Sequence, residues 1–185
     1  MHFDTWNKKL QVTTTGFYRD INNLIAYVGN RLINIDRQKD KGLELEAVVT
    51  PVDRFTIKAS YTYVTGSIAQ TRNGKDTSYY NLIRRPKNTL VATVGYQVTP
   101  AIYVAVSAQS LGKRNDLFFG PPTWVGTPVS LKAYTLLNLY AEYKIWDNKI
   151  RLFADAKNIT DTKYTEVYGY ATPGINVAGG FRINL

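Results

Sequence analysis

The residues able to do chemistry are few and stand apart from one another. The one histidine, His2, sits at the very start of the 185-residue chain, so triads and metal sites built on imidazole lack material. There is no cysteine, which removes disulfides, thiol catalysis and Cys-based zinc sites together. Glu44 and Glu46 lie two apart and would share one face of a strand, as paired acid-base carboxylates must. Their setting points instead to a watery face beside Lys and Arg. Asp155 and Asp161 have no distinctive spacing. Gly179-Gly180 falls inside a strand pattern and reads as a bend or a close approach rather than a phosphate cradle. No catalytic residue, no metal site and no cofactor is expected.

Binding is the positive role left for named side chains. Tyr79, Tyr80, Arg84 and Arg85 occupy one long polar stretch, and Phe118, Phe119 and Trp124 another. Guanidinium groups and aromatic faces together suit a small anionic or aromatic ligand. The plainer alternative is that residues 79–86 begin a return strand and that the Phe pair packs within its own loop. The formal charge of +9 is scattered over polar faces and turns, which describes a solvated surface. Aromatic residues mostly share the parity of Leu and Val while basic ones take the other, so no single-stranded nucleic-acid groove is expected.

These residues must be carried by strands, because period-two alternation recurs along the chain and no helical period does. One long strand begins at Leu10, Val12 and Thr14 and continues toward Tyr27, with an expected break near residues 20–23 and a turn at Gly29-Asn30. A return strand from Leu32 is expected to be interrupted by polar residues 37–41 before Leu43, Leu45, Ala47 and Val49 resume the pattern. Phe55, Ile57, Ala59, Tyr61 and Tyr63 follow a turn at Pro51. Leu90, Ala92, Val94, Tyr96 and Val98 run to a turn at Pro100, and Ile102, Val104, Val106 and Ala108 return. Leu137, Leu139, Ala141, Tyr143 and Ile145 lead through a turn at Asp147 to Ile150, Leu152, Ala154 and Ala156, and a last alternation spans 175–185. Residues 66–86 and 112–128 read as long loops.

The reading is all-β: an antiparallel up-and-down meander of about eight long strands, with short turns at one end and long loops at the other. That asymmetry describes part of a transmembrane β-barrel. A negative mean hydropathy excludes helical spans but not barrel strands, which are only half apolar. Fourteen Tyr and three Trp suit membrane interfaces, and Trp6, Phe55, Tyr103, Trp146 and Phe181 are the candidate interface aromatics.

Residues 158–164 (Asn-Ile-Thr-Asp-Thr-Lys-Tyr), Tyr170, Pro173-Gly174 and the closing Gly180-Phe181-Arg182-Ile183-Asn184-Leu185 resemble the C-terminal end of TonB-dependent outer-membrane receptors. Ile175 stands where that family commonly has Arg, and Leu185 where it commonly has Phe. Gly42-Leu43-Glu44-Leu45-Glu46 and Leu82-Ile83-Arg84-Arg85-Pro86 are similar to recurring pieces of the same barrel. The resemblance implies the outer membrane of a Gram-negative-type bacterium, with its lipid as one partner. It also implies uptake of a scarce nutrient (a ferric siderophore, haem or a cobalamin) driven by the TonB complex through an N-terminal plug. Residues 1–185 hold neither a plug nor the roughly 22 strands of the family, and Met1 to Trp6 lack the features of a signal peptide. The expectation is a C-terminal barrel segment that does not transport alone. A complete eight-stranded barrel with a structural or adhesive role is one alternative. A soluble basic β protein binding nucleic acid or a lipid-like ligand is the other.

Overall fold

The computed structural model describes every residue except 1, 6, 8, 29, 30, 73, 74, 81, 123, 125, 148 and 185. For 2, 24, 26–28, 31, 33–36, 70–72 and 75–80 it describes the backbone alone. Twelve strands are present among the described residues: β1 (His2–Thr5), β2 (Leu10–Val28), β3 (Arg31–Val52), β4 (Phe55–Arg72), β5 (Lys75–Tyr80), β6 (Asn88–Gln97), β7 (Ile102–Leu111), β8 (Arg114–Phe118), β9 (Thr127–Leu131), β10 (Tyr134–Ile145), β11 (Ile150–Lys157) and β12 (Asn176–Ile183). They form one antiparallel sheet in the order β1-β2-β3-β4-β6-β7-β10-β11-β12, with β5 folded back on β4, and a separate β8-β9 hairpin. The sheet follows chain order throughout, as hairpin meanders do. Its edges are β1 and β12, and no ladder joins them among the described residues.

Directly opposed residues share a face, so the register tests the alternation row by row. One row runs Leu10, Val49, Ile57, Val94, Val106, Leu139, Ala156, Val177. The next runs Val12, Ala47, Ala59, Ala92, Ala108, Leu137. Nearer the short turns lie Tyr143, Leu152 and Phe181, and then Ile145, Ile150 and Ile183. The opposite face carries Thr13, Glu46 and Ser60, then Thr93, Ser107 and Asn138. Apolar side chains thus form one continuous face, and none of those named is buried on it: Val94, Val106, Leu139, Tyr143, Val177 and Phe181 are open to the surroundings, and the others are half-buried or exposed. Among the described residues the buried apolar side chains are few: Val64, Ile68 and Leu82 cluster with Phe17 against them, and Ala105, Leu131 and Tyr134 are buried elsewhere. An apolar face this extensive needs a covering medium other than water. No helix of the described residues is long and apolar enough to cross a membrane.

The apolar run from Phe55 to Tyr63 matches the about 9–11 residues a tilted strand needs to cross the hydrocarbon layer. Beyond it the same face of β2 and β3 turns to Asp20, Lys39 and Arg37, and β2, β3 and β4 continue without a break. The expected interruption at 37–41 is therefore absent, because main-chain pairing needs no apolar alternation once ion pairs lace the two strands, and that at 20–23 shrinks to Asn23, which takes a left-handed φ of 57° and drops out of the register inside β2. Arg37 Nε donates to Asp20 Oδ1 at 2.7 Å on one face, and Arg19 Nε to Asp40 Oδ1 at 3.0 Å on the other. Much of the expected loop at 66–86 is the rest of β4 plus β5, paired through their backbones. The expected loop at 112–128 contains β8 and the start of β9.

The short turns are locally encoded. Thr99 Oγ1 accepts from the Ile102 N–H at 3.1 Å between β6 and β7. Trp146 and Asp147 both adopt positive φ between β10 and β11, and the Lys149 N–H closes the turn on the Trp146 carbonyl at 2.9 Å. Glycine marks close cross-strand approach on the polar face. A side chain at Gly180 would meet the Phe153 ring at 2.8 Å, at Gly95 it would collide with the Tyr103 hydroxyl, and at Gly42 with the Phe17 ring and the Tyr63 carbonyl. Gly179-Gly180 is therefore a close approach, as its place inside a strand implies.

Candidate ligand-binding mouth

The long connections gather at the end of the sheet opposite the short turns. After β5 the chain makes a turn in which the Arg85 N–H donates to the Leu82 carbonyl at 3.3 Å. Ile83 forms a parallel bridge with Asn115, and the Arg84 N–H donates to the Asn115 carbonyl at 2.7 Å. Arg84 holds a left-handed φ of 59°, a conformation that surrounding structure has to enforce in a non-glycine residue. The enforcement comes from β8.

Arg84 Nε donates to Asp116 Oδ1 at 2.7 Å, and that carboxylate is 1% exposed. Burial pushes the Asp116 carboxyl up, but the Tyr168 N–H, the Arg84 guanidinium and the Leu117 N–H outweigh it and leave it below the ordinary carboxylate range. Arg85 reaches the other buried carboxylate, Asp40, at 3.6 Å, where Arg19 is the closer partner. Both arginines are thus engaged by carboxylates while half of each side chain stays exposed. Sequence gave no signal for Asp40 or Asp116, since their partners come from distant strands and loops.

Phe118 and Phe119 do not face one another. Phe118 packs edge-on against Tyr168 at 5.1 Å, whereas Phe119 closes over Gly126. Trp124 is 67% exposed at a φ of 54° and stands free of that packing. The side chains of Tyr79 and Tyr80 lie outside the described residues; their backbone belongs to β5, opposite Ile68 and Ser67. Of the expected binding residues, Arg84 and Phe118 are brought together through β8, and Arg85 is placed at a separate recess. That recess, of about 490 Å³, opens on the polar face and is lined by Phe17, Arg19, Glu44, Val64, Arg85 and Pro86 among others. Glu44 shares that recess with Arg19 and Arg85.

Among the candidate interface aromatics, Phe55 and Phe181 lie in the apolar rows, and Trp146 is exposed at a short turn. Tyr103 departs from the expectation. It pairs with Gln97 and Glu142 on the polar face and covers Gly95, because its neighbours Ile102 and Val104 take the apolar side. Trp6 lies outside the described residues.

The 158–164 motif has a local structural reason. Asn158, 3% exposed, accepts from the Thr162 N–H at 2.9 Å and donates to the Thr162 carbonyl at 3.0 Å. Its backbone N–H is held by Asn138 Oδ1 at 3.0 Å. A side chain on Gly174 would meet Asp161 Oδ1 at 2.6 Å, so the Pro-Gly turn is packed directly on the motif. Lys163 at 2.8 Å holds the Asp161 carboxyl below its ordinary range. The motif ends in Tyr164, whose ring lies 4.6 Å from that of Tyr134.

A family model described as TonB dependent receptor-like, beta-barrel, matches residues 3–159. Several solved structures share the fold. The pyoverdine outer-membrane receptor FpvA of Pseudomonas aeruginosa aligns with a TM-score of 0.74 at 18% identity, covering 98% of this chain and 28% of that one. The ferric-catecholate import receptor Fiu of E. coli aligns at 0.69 and 20% identity, over 97% and 26%. The FrpB iron transporter of Neisseria meningitidis aligns at 0.74 and 17% identity, over 97% and 29%. The chain thus spans less than a third of the length of these proteins.

Proposed function

The chain belongs to the TonB-dependent receptor β-barrel family of the Gram-negative outer membrane, and from that premise we propose that residues 1–185 are the C-terminal wall of a receptor that takes up a scarce nutrient. The nutrient is a metal chelate of the ferric siderophore, haem or cobalamin class. Strands β2, β3, β4, β6, β7, β10, β11 and β12 form lipid-facing wall, the long connections with β5 and the β8-β9 hairpin face outward, and a plug engaging the TonB complex completes the machine.

The observation that carries this reading is the row-by-row apolar face. Barrel walls exposed to hydrocarbon require it and soluble sandwiches hide it. A small closed barrel built from this chain alone needs a ladder between β1 and β12, and the described residues have none. The open edges and the partial coverage of the similar structures favour a larger barrel. A soluble nucleic-acid binder would have to shelter that face elsewhere. Trp124 and Arg85, exposed on loop and recess, are the proposed ligand contacts, with Tyr79, Tyr80, Arg84, Phe118 and Phe119 around them.

Deletion of the gene in its own host, followed by growth on ferric siderophore, haem or cobalamin as the sole source of iron or cofactor, tests the proposal. Loss of growth on one of these, restored by the intact gene only when TonB is present, is expected. Unchanged uptake of all three would overturn it.

A further inference from the structure

Successive residues of one strand face point to a shared anchor at the mouth. In β8, Arg114, Asp116 and Phe118 alternate onto one side, and each meets the segment 165–168. Arg114, 4% exposed, donates from Nη2 to the Thr165 carbonyl at 2.8 Å and lies over the Tyr134 ring at 4.8 Å. The Tyr134 hydroxyl in turn donates to Glu166 Oε1 at 3.2 Å. Asp116 Oδ2 accepts from the Tyr168 N–H at 2.9 Å, and its Oδ1 accepts from the Leu117 N–H at 2.8 Å and from Arg84 at 2.7 Å. Phe118 closes the file on the Tyr168 ring.

We propose that Asp116 is the positioning residue of the mouth, joining the β8-β9 hairpin, the 82–85 turn and the 165–168 segment into one body that presents Phe118 and Trp124. Its three donors come from its own strand and from a turn and a loop segment far off in sequence, and at 1% exposure no bulk water stands ready to replace them. A neutral side chain there keeps the shape and weakens the charge-assisted bonds, which are the stronger kind. Among the described residues Arg84 supplies the cation on the carboxylate, while Arg114 and Glu166 meet at Tyr134. That the body meets a ligand rests on the uptake reading, but the joining of the three segments does not.

Residues 1–185 hold no cysteine, so in the receptor as expressed in outer membranes, with any cysteine elsewhere in it replaced by serine, spin labels placed at Ser130→Cys and Ala171→Cys report the hairpin against the C-terminal loop. A pair at Asp53→Cys and Thr99→Cys reports the short turns. A single narrow loop distance is expected with Asp116 present. Asp116→Asn should broaden it and shift it outward while the short-turn distance stays fixed, and Asp116→Glu should recover part of the narrow population. Should Asp116→Asn fail to reach the membrane, Arg84→Gln decides by the same comparison, with a smaller broadening expected. An unchanged loop distance in the variant, or a broad one already in the parent, overturns the proposal. No ligand enters the experiment, so its failure leaves the uptake reading to its own test.

Discussion

Two side chains, Asp116 and Asn158, do at the mouth what a core does elsewhere: each is buried, and each bonds several segments. The Asp116 carboxyl lies below its ordinary range in the fold, so its stabilisation is fully present above the unfolded value of about 3.9 and is lost as pH falls through the lower folded value. Protease cleavage within 118–127 of the membrane-embedded protein should therefore stay slow from neutral pH down to about 4 and rise only below that. An acid-stable protease reads this directly, and release near pH 6 would contradict it. Asp161 is lowered too, by Lys163, but that pair is exposed and screened and should leave no comparable step. Asn158→Ala removes both bonds to Thr162 from a buried, left-handed position. It should cost about 1–3 kcal/mol, read as a lower urea midpoint of the folded, heat-modifiable gel band. The motif at 158–164 was legible as a resemblance, yet its reason is visible only once Asn138 and Pro173 are seen to close on it.

At the scale of the element, what could be read was what lipid dictates. Leu90, Ala92, Val94 and Tyr96 alternate because one face of β6 meets hydrocarbon, and the Pro51, Pro100 and Asp147 turns punctuate such runs with residues that stop a ladder. Where β2 and β3 leave the apolar band, that constraint ends. Asp20, Arg37, Lys39 and Asp40 then look like a loop although they are paired strand. The β8-β9 hairpin was hidden likewise, since Asn115, Asp116, Ser130 and Pro128 show no apolar period. Tyr103 was misread by residue type: its parity already opposed it to Val104, and Gly95 gives its ring room. The two faces of β6 should respond oppositely to charge. Val94→Arg should destabilise by about 2–4 kcal/mol near the bilayer midplane, while its neighbour Thr93→Arg on the polar face should cost under about 1. Urea unfolding in phospholipid bilayers measures both, and equal penalties would mean that β6 has no lipid side.

For the whole molecule, the central claim is that this sheet is a membrane wall with hydrocarbon on one side and a polar interior on the other. The small dry cluster around Val64, Ile68 and Leu82 could not hold a chain of this length together in water, whereas the apolar rows across the sheet can be covered by lipid at no cost in exposed surface. The most direct test is a cysteine scan along β6, from Asn88 to Gln97, with each spin-labelled receptor in outer membranes. Collision with oxygen dissolved in the bilayer and with a water-borne nickel chelate is then measured position by position. Labels at 90, 92, 94 and 96 should favour oxygen, and those at 91, 93, 95 and 97 the chelate, in strict alternation. A flat profile, or labels at 90, 92 and 94 shielded from both reagents, would place those residues in a dry protein core and contradict the account.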